Sequence, residues 1–271
     1  MGFRQSENLV YHNTKAKIYP DGQQKIMVCS KPIFKSECWE QVDKYGKEKV
    51  PVPKPKDMSN EVRGDSLKRA KEACFDIAFC NDFTWFITWT LNKEEIDRYN
   101  PDEVSKKLRT FLNNKVKRNS ARYIIIPEYH ADGKGIHMHG LLTGDFLMKD
   151  SGKCTQSGKT IYNMPQWKYG WSTAIELDGS KVAVAKYITK YITKDFKKIF
   201  GSFYYAGGKG LIRKPQVQLF DSDFNAVKVD KIFKPSEWNV KYKYIDVDEQ
   251  AALNSLRILQ EIGEIENGTR A

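Results

Sequence analysis

Two of the four histidines in the chain, His137 and His139, are separated by a single residue, Met138. Residues two apart in a β-strand project from the same face, so both imidazoles would point to one side and Met138 to the other. Imidazole is the commonest metal ligand in proteins. The spacing is also common in half-exposed strands, but it predicts a metal site if a further ligand lies on the same face.

A carboxylate is available on the neighbouring run of residues. The stretch RYIIIPEYH (122–130) is followed by ADGK and then by GIHMHGLLTG (135–144), a pattern typical of a β-hairpin with its turn at Asp-Gly. With ADGK as a four-residue loop, Glu128 lies opposite His137, and opposed residues share a face. His130 is the alternative third ligand. Two histidines and a carboxylate suit Zn²⁺, Mn²⁺ or Fe(II), and an open site would accept Mg²⁺ from a phosphate-bearing substrate.

A second group of candidate residues is the doubled word YITK in KYITKYITK (186–194). On a helix, Tyr187 and Tyr191 lie one turn apart at the edge of an apolar stripe, with Lys190 and Lys194 close by. A tyrosine can act as a covalent nucleophile, and nearby lysines favour the phenolate and offset negative charge on a phosphate. The alternative is an ordinary amphipathic helix whose edge tyrosines pack while their hydroxyls reach water.

These residues need a sheet and a helix to position them. DFTWFITWTLN (82–92) is dense in aromatic and β-branched residues and predicts a strand with two different faces. The apolar set is expected to face the core, and the more polar set to face an open side of the sheet. The apolar set comprises Trp85, Ile87, Trp89 and Leu91, and the other comprises Thr84, Phe86, Thr88, Thr90 and Asn92.

Helical periodicity predicts further elements around this strand and the hairpin. Helices are expected over 61–80, capped by Ser59 or Asn60, and over 100–119, 178–200 and 247–265, with a strand at 171–177 and a loop at 145–170. The order of helices and strands predicts the α+β class, with a central, mostly antiparallel sheet, helices packed on one face and the other face open.

Composition narrows the class of partner. The chain of 271 residues has 45 Lys and Arg against 34 Asp and Glu, a net charge of +11, which favours nucleic acid ahead of an anionic membrane. Five cysteines without any CxxC spacing argue against a zinc module or a disulfide scaffold and favour reduced thiols in the cytoplasm. Neither a signal peptide nor a membrane-spanning run is expected.

Taken together, these features resemble the HUH endonucleases, in particular the rolling-circle replication initiators of bacteriophages and plasmids. FITWTLN (86–92) is similar to the first motif of that family, an apolar strand rich in threonine. IHMHG (136–140) is similar to the histidine–hydrophobe–histidine motif, and YITKYITK (187–194) to the third motif in its two-tyrosine form. The three motifs occur in the order of the family within residues 82–215, about half of the chain.

The resemblance implies an RRM-like nuclease fold and a metal-dependent enzyme that nicks and rejoins single-stranded DNA at specific sites. One Mg²⁺ or Mn²⁺ would be held by His137, His139 and Glu128. Tyr187 and Tyr191 would attack in succession, with a 5′-phosphotyrosyl link and a free 3′-OH after the first attack. This chemistry starts and ends rolling-circle replication.

The resemblance also implies partners and a division of the chain. The substrate would be the single strand or hairpin of an origin. A host helicase and polymerase would assist, because the chain has no GxxxxGK[ST] motif, and the location would be a bacterial cytoplasm. Residues 1–59 are interpreted as an N-terminal extension, 60–215 as the HUH domain with a leading helix, and 216–271 as a C-terminal extension ending in a helix. PVPKPK (51–56) predicts an extended linker.

Three alternatives remain at this point. A relaxase or transposase would use the same chemistry on other DNA ends. A single-strand-binding protein without enzymatic activity needs only the positive charge and the aromatic side chains. An iron oxygenase with two histidines and a carboxylate would have no use for the paired tyrosines or for the positive charge.

Overall fold

The structure is a computed structural model that describes residues 2–5, 10–36, 39–42, 64–130, 133–194, 198–225, 231–233 and 240–243. The chain forms two compact units, Met1–Glu61 with Pro215–Asp246, and Val62–Lys214 with Val247–Ala271. The division at 59/60 and 215/216 that the sequence suggests stays a prediction. The predicted linker 51–56, the caps Ser59 and Asn60, and the predicted helix 247–265 lie outside the described residues.

The described elements are numbered along the chain. The first part contains β1 (Gly2–Gln5), β2 (Tyr11–His12), β3 (Thr14–Ile18), β4 (Gln24–Cys29), β5 (Phe34–Lys35), β6 (Trp39–Val42) and α1 (Gly64–Cys80). The middle contains β7 (Trp85–Leu91), α2 (Pro101–Asn119), β8 (Arg122–Tyr129), β9 (Ile136–Thr143), β10 (Lys149–Cys154), β11 (Thr160–Asn163), β12 (Gly170–Glu176) and α3 (Lys181–Lys194). The last part contains β13 (Tyr205–Gly207), β14 (Gln216–Phe220), β15 (Lys231–Phe233) and β16 (Val240–Lys243).

The first unit is built from antiparallel strands. A five-stranded sheet has the order β14-β3-β4-β16-β15, and the pairs β1-β6 and β2-β5 form two small sheets. Strand β3 pairs with β4 on one side and with β14 on the other, so Thr14 lies opposite both Val28 and Phe220. Residues from the beginning of the chain and from beyond residue 215 therefore share one sheet.

The second unit carries a seven-stranded sheet in the order β10-β11-β12-β7-β9-β8-β13, in which all neighbours are antiparallel. With its three described helices, this sheet confirms the α+β class and the mostly antiparallel arrangement. The hairpin β8-β9 lies beside β7 in this sheet, so the two histidines are flanked by strands on both sides.

Helix α2 covers the face that the apolar set of β7 was predicted to bury. Trp89 is fully buried, and its ring lies edge-on to Phe111 of α2, with 5.4 Å between the ring centroids. The helix begins where Asn100 caps it, because the Asn100 side chain accepts hydrogen bonds from the N–H groups of Asp102 and Glu103. Pro101 follows at the first position, where its missing N–H carries no cost.

Helix α3 lies on the opposite face, so the expectation that helices occupy one face only is wrong. The rings of Tyr187 and Tyr191 in α3 contact Phe86, which points away from α2. The reason is that this face is apolar at one end, where Phe86 and its neighbours across the sheet, Leu141 and Ile175, are buried and need cover. Helix α1 packs against α3 on this side.

Two local expectations also differ from the structure. The predicted loop 145–170 contains the hairpin β10-β11, which extends the sheet next to β12. Gly158 lies in its turn and Gly152 in β10, where the register shifts between Asp150 and Lys153, and both glycines have positive φ. The described part of α3 ends at Lys194, whereas the prediction extended it to residue 200. Ile199, which the predicted helix over 178–200 included, instead joins the core cluster that contains residues of α2.

Candidate active site

The β8-β9 hairpin has the register that its loop predicts. Glu128 pairs with His137, and Tyr129 pairs with Ile136. The His130 N–H donates to the carbonyl of Gly135 at 2.7 Å and closes the four-residue loop. Gly133 has φ +70, a left-handed conformation that glycine adopts without steric cost, so the loop needs a glycine at this position.

Three polar side chains converge on the face opposite α2. The Glu128 Oε2 atom lies 3.1 Å from Nε2 of His139 and 3.4 Å from Nε2 of His137, and the two Nε2 atoms are 3.2 Å apart. The side chains of Glu128 and His139 are 0% and 3% exposed, while that of His137 is 14% exposed. The three donor atoms therefore form a nearly equilateral triangle whose most accessible corner is His137.

This triangle fits a single metal ion. Ligands that bind one ion at about 2.1 Å with angles between 90° and 109° lie about 3.0 to 3.4 Å from one another. The three observed distances, 3.1, 3.2 and 3.4 Å, fall in that range. A buried group of Glu128, His137 and His139 with this spacing is able to hold a metal ion. Two imidazoles and a carboxylate on one side of an ion leave its other positions open for substrate.

The second ring nitrogen of each histidine also has a neighbour. The Thr88 Oγ1 atom lies 3.0 Å from Nδ1 of His139, and the His130 Nδ1 atom lies 3.2 Å from Nδ1 of His137. When Nδ1 of His139 carries the proton it donates to Thr88, and Nε2 keeps the lone pair that a metal needs. His130 thus lies behind His137 and outside the triangle, which favours Glu128 as the third ligand.

Replacing Thr88 by valine is expected to weaken Mn²⁺ binding about 10-fold, because the Nδ1 side of His139 loses its oxygen partner. Calorimetric titration with Mn²⁺ would measure the change. The matched control is Thr110→Val, since the Thr110 hydroxyl donates only within α2, to the carbonyl of Lys106. Unchanged affinity in Thr88→Val would show that this contact does not orient the ligand.

The glycine that follows the histidine pair allows β9 to approach β8. Gly140 pairs with Ile125, and a β-carbon at Gly140 would lie 2.6 Å from the carbonyl oxygen of Ile124 and 2.5 Å from Cδ1 of Ile125. Gly140→Ala is therefore expected to lower the free energy of unfolding by about 1 to 3 kcal/mol, measured by urea titration. Gly64→Ala is the control, because nothing lies within 4 Å of its β-carbon. Equal stability of the two variants would contradict this account.

The two tyrosines of α3 lie beside the triangle. The ring of Tyr191 stacks on the imidazole of His139, with 3.8 Å between centroids and 21° between planes. The Tyr191 hydroxyl donates to the Tyr187 hydroxyl at 2.9 Å. Tyr187 is only 4% exposed and packs edge-on against Phe86, whereas Tyr191 is half-buried. The two phenols therefore meet at one point, but their surroundings differ.

The two lysines of YITKYITK, Lys190 and Lys194, lie in the C-terminal part of α3. Lys190 is exposed, and its Nζ lies 5.8 Å from the centroid of the Tyr187 ring. Lys194 is the last residue of α3, and its side chain lies outside the described part of the chain. The catalytic roles suggested for both lysines stay predictions.

Two other tyrosines near the sheet do not belong to this group. Tyr123 and Tyr129 on β8 pack against the core cluster of α2, on the face opposite the histidine pair. Burial raises the pKa of the Tyr123 phenol, although the charge of Arg213 opposes the shift. A phenol held protonated in this way is a poor nucleophile at neutral pH.

The second unit is thus an α+β body whose antiparallel sheet presents a buried Glu-His-His group next to two tyrosines. Residues 84–196 match the model of the family described as replication-associated protein ORF2/G2P. The matched stretch runs from the start of β7 to the end of α3 and covers less than half of the chain. No curated protein and no solved structure gives a significant match.

Two further findings concern membrane-spanning helices and the state of the cysteines. Among the described residues, no helix combines the length and apolar character required to cross a membrane. The described cysteines at 29, 74, 80 and 154 are free thiols, three of them buried. This agrees with the expectation of reduced cysteines for the part of the chain that the structure describes.

Proposed function

We propose that this protein initiates rolling-circle replication by nicking and rejoining single-stranded DNA through a tyrosine–DNA link, as the two-tyrosine HUH endonucleases do. The observation that carries the proposal is the stacking of Tyr191 on His139 within the Glu-His-His group. The match of residues 84–196 to a replication-associated family supports a role in replication. The net charge of +11 suits a polyanionic substrate.

The proposed metal is Mg²⁺ or Mn²⁺, held by Glu128, His137 and His139. When bound, the ion would act as a Lewis acid on the scissile phosphate. The three protein ligands fix its place on the sheet, and the burial of Glu128 and His139 keeps water away from one side of it. His137, at the accessible corner of the triangle, faces the side from which a phosphate would approach.

The tyrosines carry the covalent step. The Oη atom of one tyrosine attacks phosphorus and forms an O–P bond, while the bond from phosphorus to the 3′-oxygen breaks. The phenol gives up its proton, and the leaving 3′-oxygen gains one, so the products are a 5′-phosphotyrosyl link and a free 3′-OH. In the rejoining step a 3′-OH attacks the same phosphorus, and the tyrosine recovers its proton.

A pair of tyrosines allows two such transfers in one site. Their hydroxyls are 2.9 Å apart, so both phenols lie near the place where a phosphate at the Glu-His-His group would be held. The exposed Lys190 beside Tyr187 would offset the negative charge of the DNA backbone. This arrangement suits a first attack at the origin and a second attack when the origin is regenerated.

The test uses labelled single-stranded DNA of the origin with Mn²⁺, and a variant in which both Tyr187 and Tyr191 are phenylalanine. The intact protein is expected to cut the DNA and form a covalent adduct, and the double variant is expected to do neither. Undiminished cutting by the double variant would refute the proposal. Mapping the DNA ends that are cut would distinguish replication origins from the transfer or insertion ends of a relaxase or transposase.

A further inference from the structure

We infer that Trp171 is a stacking platform for a DNA base next to the scissile phosphate. The inference rests on the proposed function for the substrate it names, unpaired DNA at the Glu-His-His group. Trp171 is the second residue of β12, in the middle of the sheet order rather than in a loop. It is 63% exposed, the largest exposed fraction among the large apolar side chains of the described residues.

The position of Trp171 connects it directly to the metal group. Trp171 of β12 pairs with Thr90 of β7, and Thr90 pairs with His137 of β9. His137 in turn pairs with Glu128 of β8, so the four residues form one row across the sheet. Opposed residues in antiparallel strands share a face, so Trp171 is on the same face as the two ligands. With adjacent strands about 4.8 Å apart, Trp171 lies about 10 Å from His137 across the sheet. That separation corresponds to a neighbouring nucleotide of a strand whose phosphate lies at the metal group.

The sheet face that carries Glu128 and His137 is accessible to solvent at the end where Trp171 lies. Along β12, exposure falls from Trp171 through the half-buried Thr173 to the buried Ile175. Along β7, it falls in the same direction from the half-buried Thr90 to the buried Phe86, which lies under α3. A strand of DNA therefore has access to the face from the end where Trp171 and His137 lie.

The backbone holds this position firmly. A β-carbon at Gly170 would lie 2.2 Å from the carbonyl oxygen of Thr90 and 2.6 Å from the nitrogen of Asn92. Gly170 also has φ +145, a conformation that favours glycine. Strand β12 thus begins in close contact with β7, and Trp171 is presented from a fixed point. A rigid aromatic platform stacks a base with little loss of conformational entropy.

Positive charges flank the row. The Asn92 N–H donates to the carbonyl of Tyr169 at 2.9 Å, which joins the segment after β7 to the segment before β12. Lys93, which follows Asn92, and Lys168, which precedes Tyr169, are both exposed. Single-stranded nucleic acid is bound by this combination, in which cationic side chains hold the phosphates and an aromatic ring stacks a base.

A single exposed apolar side chain is common on protein surfaces and by itself indicates no function. A Trp171 without function and a Trp171 that stacks a base predict different effects of its replacement on the affinity for DNA with and without bases. A platform binds bases through its ring, and the affinity for a backbone without bases should not depend on it. The comparison of the two polymers therefore separates the two explanations.

The experiment measures the affinity of the full-length protein for a labelled oligothymidylate of about 20 nucleotides, at one fixed salt concentration and with a chelator present to prevent cutting. Trp171→Ala is expected to weaken binding about 5- to 150-fold, and Trp171→Phe only a few-fold, because the phenyl ring still stacks. For an abasic oligomer of the same length, all three proteins are expected to bind equally. Leu147→Ala is the matched control, since Leu147 is 62% exposed but has no aromatic ring.

Equal affinity of Trp171→Ala and the intact protein for oligothymidylate would overturn the inference. An equal loss on the abasic oligomer would also overturn it, because the effect would then come from the backbone of the DNA or from the fold. The result is independent of cutting. Adduct formation without any Trp171 effect refutes the platform only, whereas base-dependent binding through Trp171 without any adduct refutes the proposed enzyme and leaves the platform in place.

Discussion

Glu128→Gln is expected to abolish the stabilisation of the protein by Mn²⁺ and to reduce adduct formation below detection. Glutamine keeps the shape of the side chain but removes the charge that two imidazoles and a divalent ion require at this buried position. At a concentration 100 times its dissociation constant, a bound ion stabilises the folded state by about 2.7 kcal/mol. For a chain of this size that corresponds to a rise in Tm of about 5 to 10 °C in the intact protein.

Thermal unfolding with and without Mn²⁺ measures this effect independently of any cutting activity. The matched control is Glu103→Gln, because Glu103 is a half-buried carboxylate in the first turn of α2, outside the Glu-His-His group, and its loss should leave the rise in Tm unchanged. A full Mn²⁺-dependent rise in the Glu128→Gln variant would show that Glu128 is not a ligand. His130→Ala is a useful second comparison, because His130 lies outside the triangle and the rise should persist in that variant.

Tyr191→Phe is expected to slow the first cut at least about 100-fold, whereas Tyr187→Phe should slow it less than about 10-fold. The ring of Tyr191 stacks on the imidazole of His139, and its side chain is half-buried and within reach of solvent. Tyr187 is 4% exposed and packs against Phe86, so it needs a larger movement before it reaches a phosphate. Phenylalanine preserves both ring contacts and removes only the nucleophilic oxygen.

Single-turnover cutting of labelled DNA measures the first attack, and the formation of joined product measures the second. On DNA that carries two origin sites, we expect Tyr187→Phe to make the first cut but to form little joined product. The second tyrosine, which would cut the regenerated origin and release the 3′-OH for joining, is missing. Tyr129→Phe is the control, since Tyr129 lies on the opposite face of the sheet. Faster cutting by Tyr191→Phe than by Tyr187→Phe would reverse the proposed order of attack.

The parts of the site that local rules determine could be predicted from the sequence. The two-residue period of a strand places His137 and His139 together, and the four-residue loop sets Glu128 opposite His137. Helical spacing brings the two phenols within hydrogen-bonding distance of each other. Each of these relations spans fewer than a dozen residues, so backbone geometry alone defines it.

Relations between distant segments could not be predicted in this way. The stacking of Tyr191 on His139 depends on how α3 crosses the sheet, which tertiary packing decides. Strands β10 and β11 were missed because KDSGKC and its surroundings lack the alternation of apolar residues that marks a strand, and most of β10 is exposed. The pairing of β3 with β14 joins residues about two hundred positions apart, and no local pattern signals it.

The measurement that tests the central claim most directly is a denaturing gel of the protein with labelled single-stranded origin DNA and Mn²⁺, followed by digestion and identification of the modified peptide. The account predicts a shifted covalent band that disappears with chelator, with the label on Tyr191 or Tyr187. A metal-dependent cut that leaves no covalent band, or a label on a residue outside α3, would contradict it.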